Sequence, residues 1–412
     1  MECAYWQAGV CRSCTWIETH YADQVAAKQA RAHDLLVDAL GSHATADLVW
    51  EAPLTSPTRG FRTKAKMVVG GTPTHPTLGI LGPDRRGVDL RNCPITDPHI
   101  RAALPALADF VVEERLAPYD VPARRGELKY VLVTSSVTGE LMVRFVLRSR
   151  RHVDQLRRAL PRLRELVPTA RVVTANIHPT HEALVEGPDE VILTREATLP
   201  MPVGDVTLNL GPRSFSQTNT TVAAGLYRQV ARWAVGGPDT DEGVRADRVA
   251  HTPHSPGFVP RDEAPTSLWD LYCGIGGFAL HAAAAGIGAV TGVEVSDAAV
   301  DAATRSAREA GLDPSRARFV AADATAWALA QPEDTRPDVV VVNPPRRGIG
   351  GDLARWLDAS GVPRVVYSSC HPESLATDLA LMPRLRPVRA RLFDMFPHTG
   401  HAEVAVLLER AG

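Results

Sequence analysis

The chain has 412 residues, of which 45% are hydrophobic and 22% are charged, and its formal net charge is −2. This length predicts two or more domains with sizeable cores, and the near-neutral charge excludes a protein that binds nucleic acid through bulk charge alone. No apolar run approaches the roughly 18 residues of a membrane span, so we expect a soluble cytoplasmic protein without a membrane partner.

The six cysteines favour metal binding or catalysis over a disulfide framework in a cytoplasmic chain. Cys3, Cys11 and Cys14 open the sequence, and the last two sit on a single predicted turn, so three thiolates can converge on one metal. The other cysteine of this half is Cys93, which precedes Pro94, a pairing seen among iron–sulfur ligands. The spacing predicts a metal site, with iron–sulfur slightly preferred, and leaves structural zinc and unbound thiols open as alternatives.

The amino-terminal half predicts an α+β unit. The predicted helices are 21–40, 100–114 and 153–166, and the predicted strands are 61–69, 129–135, 141–147 and 171–177. Thr138 and Gly139 separate two of these strands, which predicts a hairpin.

Cationic side chains collect at two places in this unit. The strand 61–69 presents Arg62, Lys64 and Lys66 on one face, which suits either RNA phosphates or a sheet edge protected against aggregation. A second group of cationic residues predicts a basic patch that binds the RNA backbone. Its members are Arg124, Arg125, Lys129, Arg144, Arg148, Arg150 and Arg151.

A change of pattern near residue 211 predicts a domain boundary. Residues 211–219 are polar, begin with Gly-Pro and precede a predicted helix at 221–235. We therefore divide the chain into an α+β domain, 1–210, and a catalytic domain, 211–412. Residues 236–265 are rich in Gly, Pro, Asp and His without periodicity, and we interpret them as a flexible insertion.

From residue 267 strands and helices alternate, which predicts a doubly wound parallel sheet. Gly274 lies in a glycine-rich turn between a strand and a helix, where the backbone can approach a nucleotide closely. Glu294 ends the next strand and can accept hydrogen bonds from both ribose hydroxyls. This pattern fits a nicotinamide dehydrogenase nearly as well as a methyltransferase.

Two further features favour S-adenosylmethionine over a nicotinamide. Asp323 ends a third predicted strand, within reach of an adenine amine, and Asn343 begins an Asn-Pro-Pro turn after a hydrophobic strand. The rigid turn would present carbonyls and an amide beside the methyl group of the cofactor. In methyltransferases that act on adenine amines an aromatic residue follows the two prolines, whereas this chain has Arg346, which predicts a different chemistry.

A buried strand is predicted to end at Ser368-Ser369-Cys370, and reactive side chains are displayed at the carboxyl edge of such sheets. A lone cysteine is more often a small buried hydrophobe than a nucleophile. This stretch by itself leaves both interpretations open.

Several motifs along nearly the whole chain belong to one pattern. They are the cysteines at 3, 11 and 14, FRTKAK at 61–66, RGELKY at 125–130, SFSQTN at 214–219, NPPRRG at 343–348, SSC at 368–370 and FDMFPHT at 393–399. Together they resemble the bacterial RNA uracil-5-methyltransferases, and most closely the iron–sulfur branch that acts on 23S ribosomal RNA.

The resemblance implies a Rossmann-like methyltransferase domain that uses S-adenosylmethionine, preceded by an α+β domain with a 4Fe–4S cluster. It also implies 23S ribosomal RNA as the partner, with a single-stranded or loop uridine as the target, and we expect a monomer. The implied roles are cluster ligands for Cys3, Cys11, Cys14 and Cys93, cofactor binding for Gln217, Tyr272, Glu294 and Asn343, nucleophile for Cys370 and general base for Glu403. Gly274 and Asp323 complete the predicted cofactor site.

Alternatives remain at this stage. Glu403 would be structural if it paired with an arginine, and Gln217 if it capped a helix. A tRNA uracil-5-methyltransferase shares the cysteine and glutamate chemistry but has no cluster, so the amino-terminal cysteines argue against it. A non-catalytic iron–sulfur RNA-binding protein would not need Cys370, Glu403 and Asn343 together.

Overall fold

The computed structural model describes residues 1–182, 184–236 and 265–411. Its helices are α1 (Ala4–Gln7), α2 (Tyr21–Leu40), α3 (Pro98–Glu113), α4 (Val153–Leu166), α5 (Thr220–Val235), α6 (Gly277–Ala284), α7 (Asp297–Glu309), α8 (Ala324–Ala330), α9 (Gly350–Ala359) and α10 (Pro372–Leu379). Within these ranges no helix combines the length and the apolar character needed to cross a membrane. The predicted insertion, 236–265, lies outside the described residues except at its two ends.

The strands form two large sheets and a hairpin. They are β1 (Val49–Trp50), β2 (Lys64–Thr72), β3 (His75–Leu81), β4 (Gly87–Asp89), β5 (Leu128–Ser135), β6 (Leu141–Leu147), β7 (Ala170–Ile177), β8 (Asp189–Ile192), β9 (Leu199–Val203), β10 (Val206–Leu210), β11 (Ser267–Leu271), β12 (Ala289–Glu294), β13 (Ala317–Ala321), β14 (Val339–Val342), β15 (Arg364–Ser369), β16 (Leu385–Phe393) and β17 (Glu403–Arg410).

The first sheet has the strand order β4-β3-β2-β5-β6-β7-β8 and is antiparallel except where β6 meets β7. The predicted hairpin is confirmed, since Ser135 pairs with Leu141. Helices α3 and α4 bury Leu104 and Leu156 in one core with Phe145 of the sheet. In the described part of the chain β3 pairs with β2 from Val68 to Thr72, whereas Lys64 and Lys66 pair with β5, so both interpretations of these cations stay predictions.

The predicted basic patch is wrong for two of its seven members. Arg144 is 1% exposed and donates to the carboxylates of Glu186 and Glu190, because a buried guanidinium needs partners that replace water. Lys129 is also buried, and its Nζ donates to the carbonyl of Thr180. The exposed cations of the patch are Arg124, Arg125, Arg150 and Arg151.

The second sheet has the strand order β1-β16-β17-β15-β14-β11-β12-β13. Strands β11 to β15 are parallel, as predicted, but β17 runs antiparallel between β15 and β16. Both faces are covered. Val339 and Val341 of β14 pack in one core with α5, α6 and α7. Val340 and Val342 pack on the opposite face with α9 and α10, because successive side chains of a strand point to opposite faces.

Part of the amino-terminal region packs on this second sheet. Strand β1 pairs in parallel with β16, and Leu36 of α2 lies in the same core as Val340. The hairpin of β9 and β10 contributes Leu199 and Leu208 to the core on the other face. The division into 1–210 and 211–412 stays a prediction.

Candidate active site

A cavity of about 680 Å³ opens at the carboxyl edge of the second sheet. Strands β11, β12, β14 and β15 all end there, which is where open α/β sheets bind ligands. The structure brings every predicted cofactor and catalytic residue to this one cavity. They are Gln217, Tyr272, Gly274, Glu294, Asp323, Asn343, Cys370 and Glu403.

The turn after β11 has an unusual backbone. The amides of Tyr272 and Cys273 both donate to the carbonyl of Val293, at 2.9 and 3.0 Å, and Tyr272 has a φ of +68°. A tyrosine in the left-handed region is uncommon and costs free energy, which indicates a functional constraint. Gly274 has a φ of +53°, and a Cβ there would meet nothing within 4 Å, so its backbone borders open space. That space is the cavity.

Two carboxylates lie at the ends of successive strands. Oε2 of Glu294 accepts the Gly274 N–H at 3.2 Å, and Oε1 accepts the Ser296 N–H at 3.0 Å, which fixes the orientation of the side chain. Asp323 follows β13 by two residues rather than ending it. Its Oδ1 accepts the Ala326 N–H at 2.9 Å as the cap of α8.

Gln217 lines the cavity and does not cap the following helix. Asn219 takes that position, and its side chain accepts the Val222 N–H at 3.4 Å. The alternative role of Gln217 as a helix cap is therefore wrong. Its segment is tied to the first sheet because Thr63 donates its N–H and its hydroxyl to the carbonyl of Thr218.

Cys370 and Glu403 are neighbours across an antiparallel strand pair. The register of β15 and β17 ends at the pair of Ser369 with Val404, which Cys370 directly follows and Glu403 directly precedes in the sequence. Both residues line the cavity, and the charge of Glu403 acts on the Cys370 thiol. Burial and the nearby charge of Glu403 raise the pKa of the half-buried Cys370 thiol. The positive charge of Arg346 acts in the opposite direction and lowers that pKa. The two charged neighbours of the sulfur therefore act on its pKa in opposite directions.

Glu403 is 1% exposed and is held by neutral donors. Its Oε1 accepts the Ser368 hydroxyl at 2.5 Å and Asn343 Nδ2 at 2.9 Å. Neither donor is the arginine of the structural alternative. Burial raises the pKa of the Glu403 carboxyl to about 7, although both hydrogen bonds act to lower it. A carboxyl group with this pKa can take up and release a proton near neutral pH.

Sequence reasoning missed several residues that line the cavity. They are Phe215, Tyr227, Phe396 and His401, which come from segments distant in sequence. It also missed the contact of Ser368 with Glu403, although the alternation of side chains along the strand before Cys370 could have indicated that Ser368 faces the site. Residues i and i+2 of a strand share a face, so Ser368 points to the same side as Cys370.

The four amino-terminal cysteines meet at a second cavity, of about 260 Å³. It is lined by Cys3, Cys11, Cys14 and Cys93, all of them half-buried. The pKa of the Cys14 thiol is raised to about 11 by burial and by the three other cysteines. Among the residues that the structure describes, no three His, Cys, Asp or Glu side chains are grouped tightly enough to hold a single metal ion.

Comparison with known proteins places these features in a family. The family model described as tRNA (Uracil-5-)-methyltransferase matches residues 260–411. A protein of Halothiobacillus neapolitanus named 23S rRNA (uracil(747)-C(5))-methyltransferase RlmC is 42% identical over 100% of both chains. Proteins of the same name from Xenorhabdus nematophila and Salmonella paratyphi B are 40% and 43% identical, over 99% and 100% of both chains.

A solved structure shares the whole architecture. The tRNA (uracil-54, C5)-methyltransferase of Pyrococcus abyssi, in complex with S-adenosyl-L-homocysteine, superposes with a TM-score of 0.72 at 22% identity. The match covers 97% of this chain and 86% of that one, which establishes the mixed α/β methyltransferase fold. Because relatives at least 40% identical match over nearly their full length, this chain belongs to the RNA uracil-5-methyltransferase family.

Proposed function

We propose that this protein transfers a methyl group from S-adenosylmethionine to carbon 5 of a uridine in 23S ribosomal RNA. The observation that carries the proposal is that Cys370 and Glu403 line the same cavity as the predicted cofactor residues, close enough for the charge of Glu403 to act on the Cys370 thiol. The names of the full-length relatives support ribosomal RNA as the substrate.

Cys370 supplies the nucleophile. Carbon 5 of uracil is too weakly nucleophilic to attack a methyl sulfonium unaided. The Cys370 thiolate adds to carbon 6, and the π electrons of the carbon 5–carbon 6 double bond move onto the ring. The ring becomes an enolate with high electron density on carbon 5. Carbon 5 then attacks the methyl group, and the methyl–sulfur bond of S-adenosylmethionine breaks, with its electron pair staying on the sulfur of the departing S-adenosylhomocysteine. Arg346 favours the thiolate because its charge lowers the pKa of the Cys370 thiol.

Glu403 completes the cycle as the base. The carbon 5 proton moves to its carboxylate, the released electron pair restores the carbon 5–carbon 6 double bond, and the carbon 6–sulfur bond breaks to return the thiolate. A target base must leave any helical stack to enter such a cavity.

The cofactor residues have separable tasks. The Glu294 carboxylate, fixed by two backbone amides, is placed to accept hydrogen bonds from ribose hydroxyls. Asp323 engages Oδ1 in the cap of α8, and its Oδ2, which has no hydrogen bond among the described residues, would accept from the adenine amine. The backbone of Gly274 borders the cavity closely, and Tyr272, Gln217 and Asn343 line it on other sides.

The proposed activity is tested with RNA that carries tritium at carbon 5 of uridine. Methylation of carbon 5 replaces that hydrogen, so incubation with S-adenosylmethionine should release tritium from 23S ribosomal RNA lacking 5-methyluridine. Release from a tRNA transcript alone would redirect the proposal to tRNA. Absence of release from both RNAs, in protein that binds S-adenosylmethionine, would contradict it.

The second cavity fits a 4Fe–4S cluster held by Cys3, Cys11, Cys14 and Cys93. Such clusters are held by cysteine thiolates, and four cysteines line this one cavity. Bound iron would also deprotonate the Cys14 thiol, whose pKa is otherwise raised.

The proposed role of the cluster is structural. The chain leads from Cys14 to Trp16, whose N–H donates to the carbonyl of His398 at 2.8 Å. Gln24 donates to the carbonyl of Trp16 at 2.9 Å and accepts the His398 N–H at 2.8 Å. Phe396, two residues before His398, lines the active-site cavity. Fixing the amino-terminal segment thus supports one wall of the active site.

Replacing Cys93 with serine should remove most of the bound iron and the visible absorbance from protein purified without oxygen. It should also make residues 1–18 more sensitive to proteolysis, because the cluster no longer links them to Cys93. Iron analysis and limited proteolysis measure both effects. Cys370→Ala is the matched control, since it loses a thiol outside this cavity and should keep its iron. A colourless unaltered protein with stoichiometric zinc would overturn the cluster.

A further inference from the structure

Ser368 makes a buried contact that no predicted role explains. Its side chain is fully buried at the end of β15, and its hydroxyl donates to Oε1 of Glu403 at 2.5 Å. Asn343 Nδ2 donates to the same oxygen at 2.9 Å and to the carbonyl of Ser368 at 3.1 Å. Two donors from neighbouring strand ends therefore meet on one oxygen of the carboxyl group.

The other oxygen of Glu403 is in a different situation. Oε2 is buried, and among the described groups it has no hydrogen-bond partner. A buried carboxylate oxygen without a donor costs free energy, and such exceptions at a ligand cavity indicate a partner that arrives with the substrate. Glu403 lines the same cavity as Cys370, so Oε2 is the oxygen that remains for a proton from the substrate.

We propose that Ser368 is a positioning residue for the base: together with Asn343 it anchors Oε1 of Glu403 and so assigns Oε2 to proton transfer. The carbon 5 proton of the adduct then moves to Oε2 while the sulfur of Cys370 leaves carbon 6 with its electron pair. This inference rests on the proposed function, because it assigns a role within the same reaction.

The hydrogen bond from Ser368 also affects the pKa of Glu403, and thereby the pH range in which its carboxylate can accept a proton. A hydrogen bond donated to the ionised carboxylate favours that form, and the Ser368 hydroxyl lowers the pKa of Glu403 against the effect of burial. The titratable groups that face Glu403 are Cys370 at the end of β15 and Tyr227 on α5, and the charge of Glu403 raises the pKa of both. The other charged or titratable side chains that line the cavity include Glu294, Asp323, Arg346, Arg347 and His401. Loss of the Ser368 hydroxyl leaves all of these groups in place.

Ser368→Ala should raise the pKa of Glu403 by about one pH unit, the effect of one hydrogen bond to a charged group. Infrared titration of the carboxylic acid band, assigned by its absence from Glu403→Gln, measures this shift without RNA. In single-turnover reactions the release of the protein–RNA adduct at neutral pH should slow about fivefold and recover at higher pH. Adduct formation should change little.

Ser369→Ala is the matched control, because it loses a neighbouring buried hydroxyl that bonds to His371 and not to Glu403. Its infrared titration should coincide with that of the unaltered protein. Should Ser368→Ala fail to fold, Ser368→Cys keeps the shape with a weaker donor and should shift the titration in the same direction.

An unchanged titration in the Ser368 variants would overturn the inference, and so would equal slowing of both steps at every pH, which a purely structural role predicts. Failure of the proposed function is a separate result, since it would appear as absence of tritium release from RNA by the unaltered protein.

Discussion

Replacing Cys370 with alanine is expected to abolish methylation of 23S ribosomal RNA and to leave S-adenosylmethionine binding intact. Without the sulfur no bond forms to carbon 6, so carbon 5 never gains the electron density that the methyl transfer requires. The cofactor contacts expected at Tyr272, Glu294 and Asp323 lie on other strand ends and stay in place. Tritium release measures the first effect, and calorimetric titration with S-adenosylmethionine measures the second.

Cys370→Ser separates the chemistry from the packing. Serine nearly preserves the shape of the side chain, but its hydroxyl is far less ionised and far less nucleophilic than the thiol. Both variants should therefore be inactive, and neither should form a covalent complex with RNA. Full turnover by either variant would refute the assignment of Cys370 as the nucleophile.

The local elements of the fold could be predicted because their patterns lie within short windows. Helix α2 occupies the predicted residues 21–40, with Val25, Ala32 and Leu36 buried at helical spacing. The predicted strand end before Cys370 was also found, because an apolar run that stops at polar residues is a local signal. The rule that ligands lie at carboxyl strand ends then brings these side chains to one edge.

What could not be predicted depends on contacts between distant segments. Arg144 was assigned to a basic surface patch, but its partners Glu186 and Glu190 stand 42 and 46 residues further along the chain and neutralise it in the interior. The position of β17 between β15 and β16 in the sheet cannot be predicted from the order in which strands and helices alternate along the sequence. That position is what places Glu403 beside Cys370.

The position of Glu403 on β17 also explains why a carboxylate can be a base here. Glu403 is the first residue of an antiparallel strand between two others and is only 1% exposed, and desolvation raises its pKa to about 7. An ordinary surface glutamate is a much weaker base. The reversed strand therefore supplies both the location and the basicity of the group.

Glu403→Gln is expected to stop the reaction after methyl transfer. Glutamine is almost isosteric with glutamate, and its amide oxygen still accepts from Ser368 and Asn343, so the geometry of Oε1 is kept. The amide nitrogen then takes the place of Oε2 and cannot accept a proton. Release of the methylated base should slow by about 100-fold or more, the usual effect of losing a general base.

The stalled intermediate is a covalent complex that survives denaturation. Denaturing gels of protein incubated with labelled 23S ribosomal RNA and S-adenosylmethionine should show a slow band for Glu403→Gln and little for the unaltered protein. Glu409→Gln is the matched control, since it removes a carboxylate from the same strand at a site that pairs with Arg364, outside the cavity. If the variant turned over freely, or stalled without a trapped adduct, another group would have to remove the proton. Because Glu403 lines the cavity and its Oε2 is buried without a partner in the described part of the chain, we expect the trapped adduct.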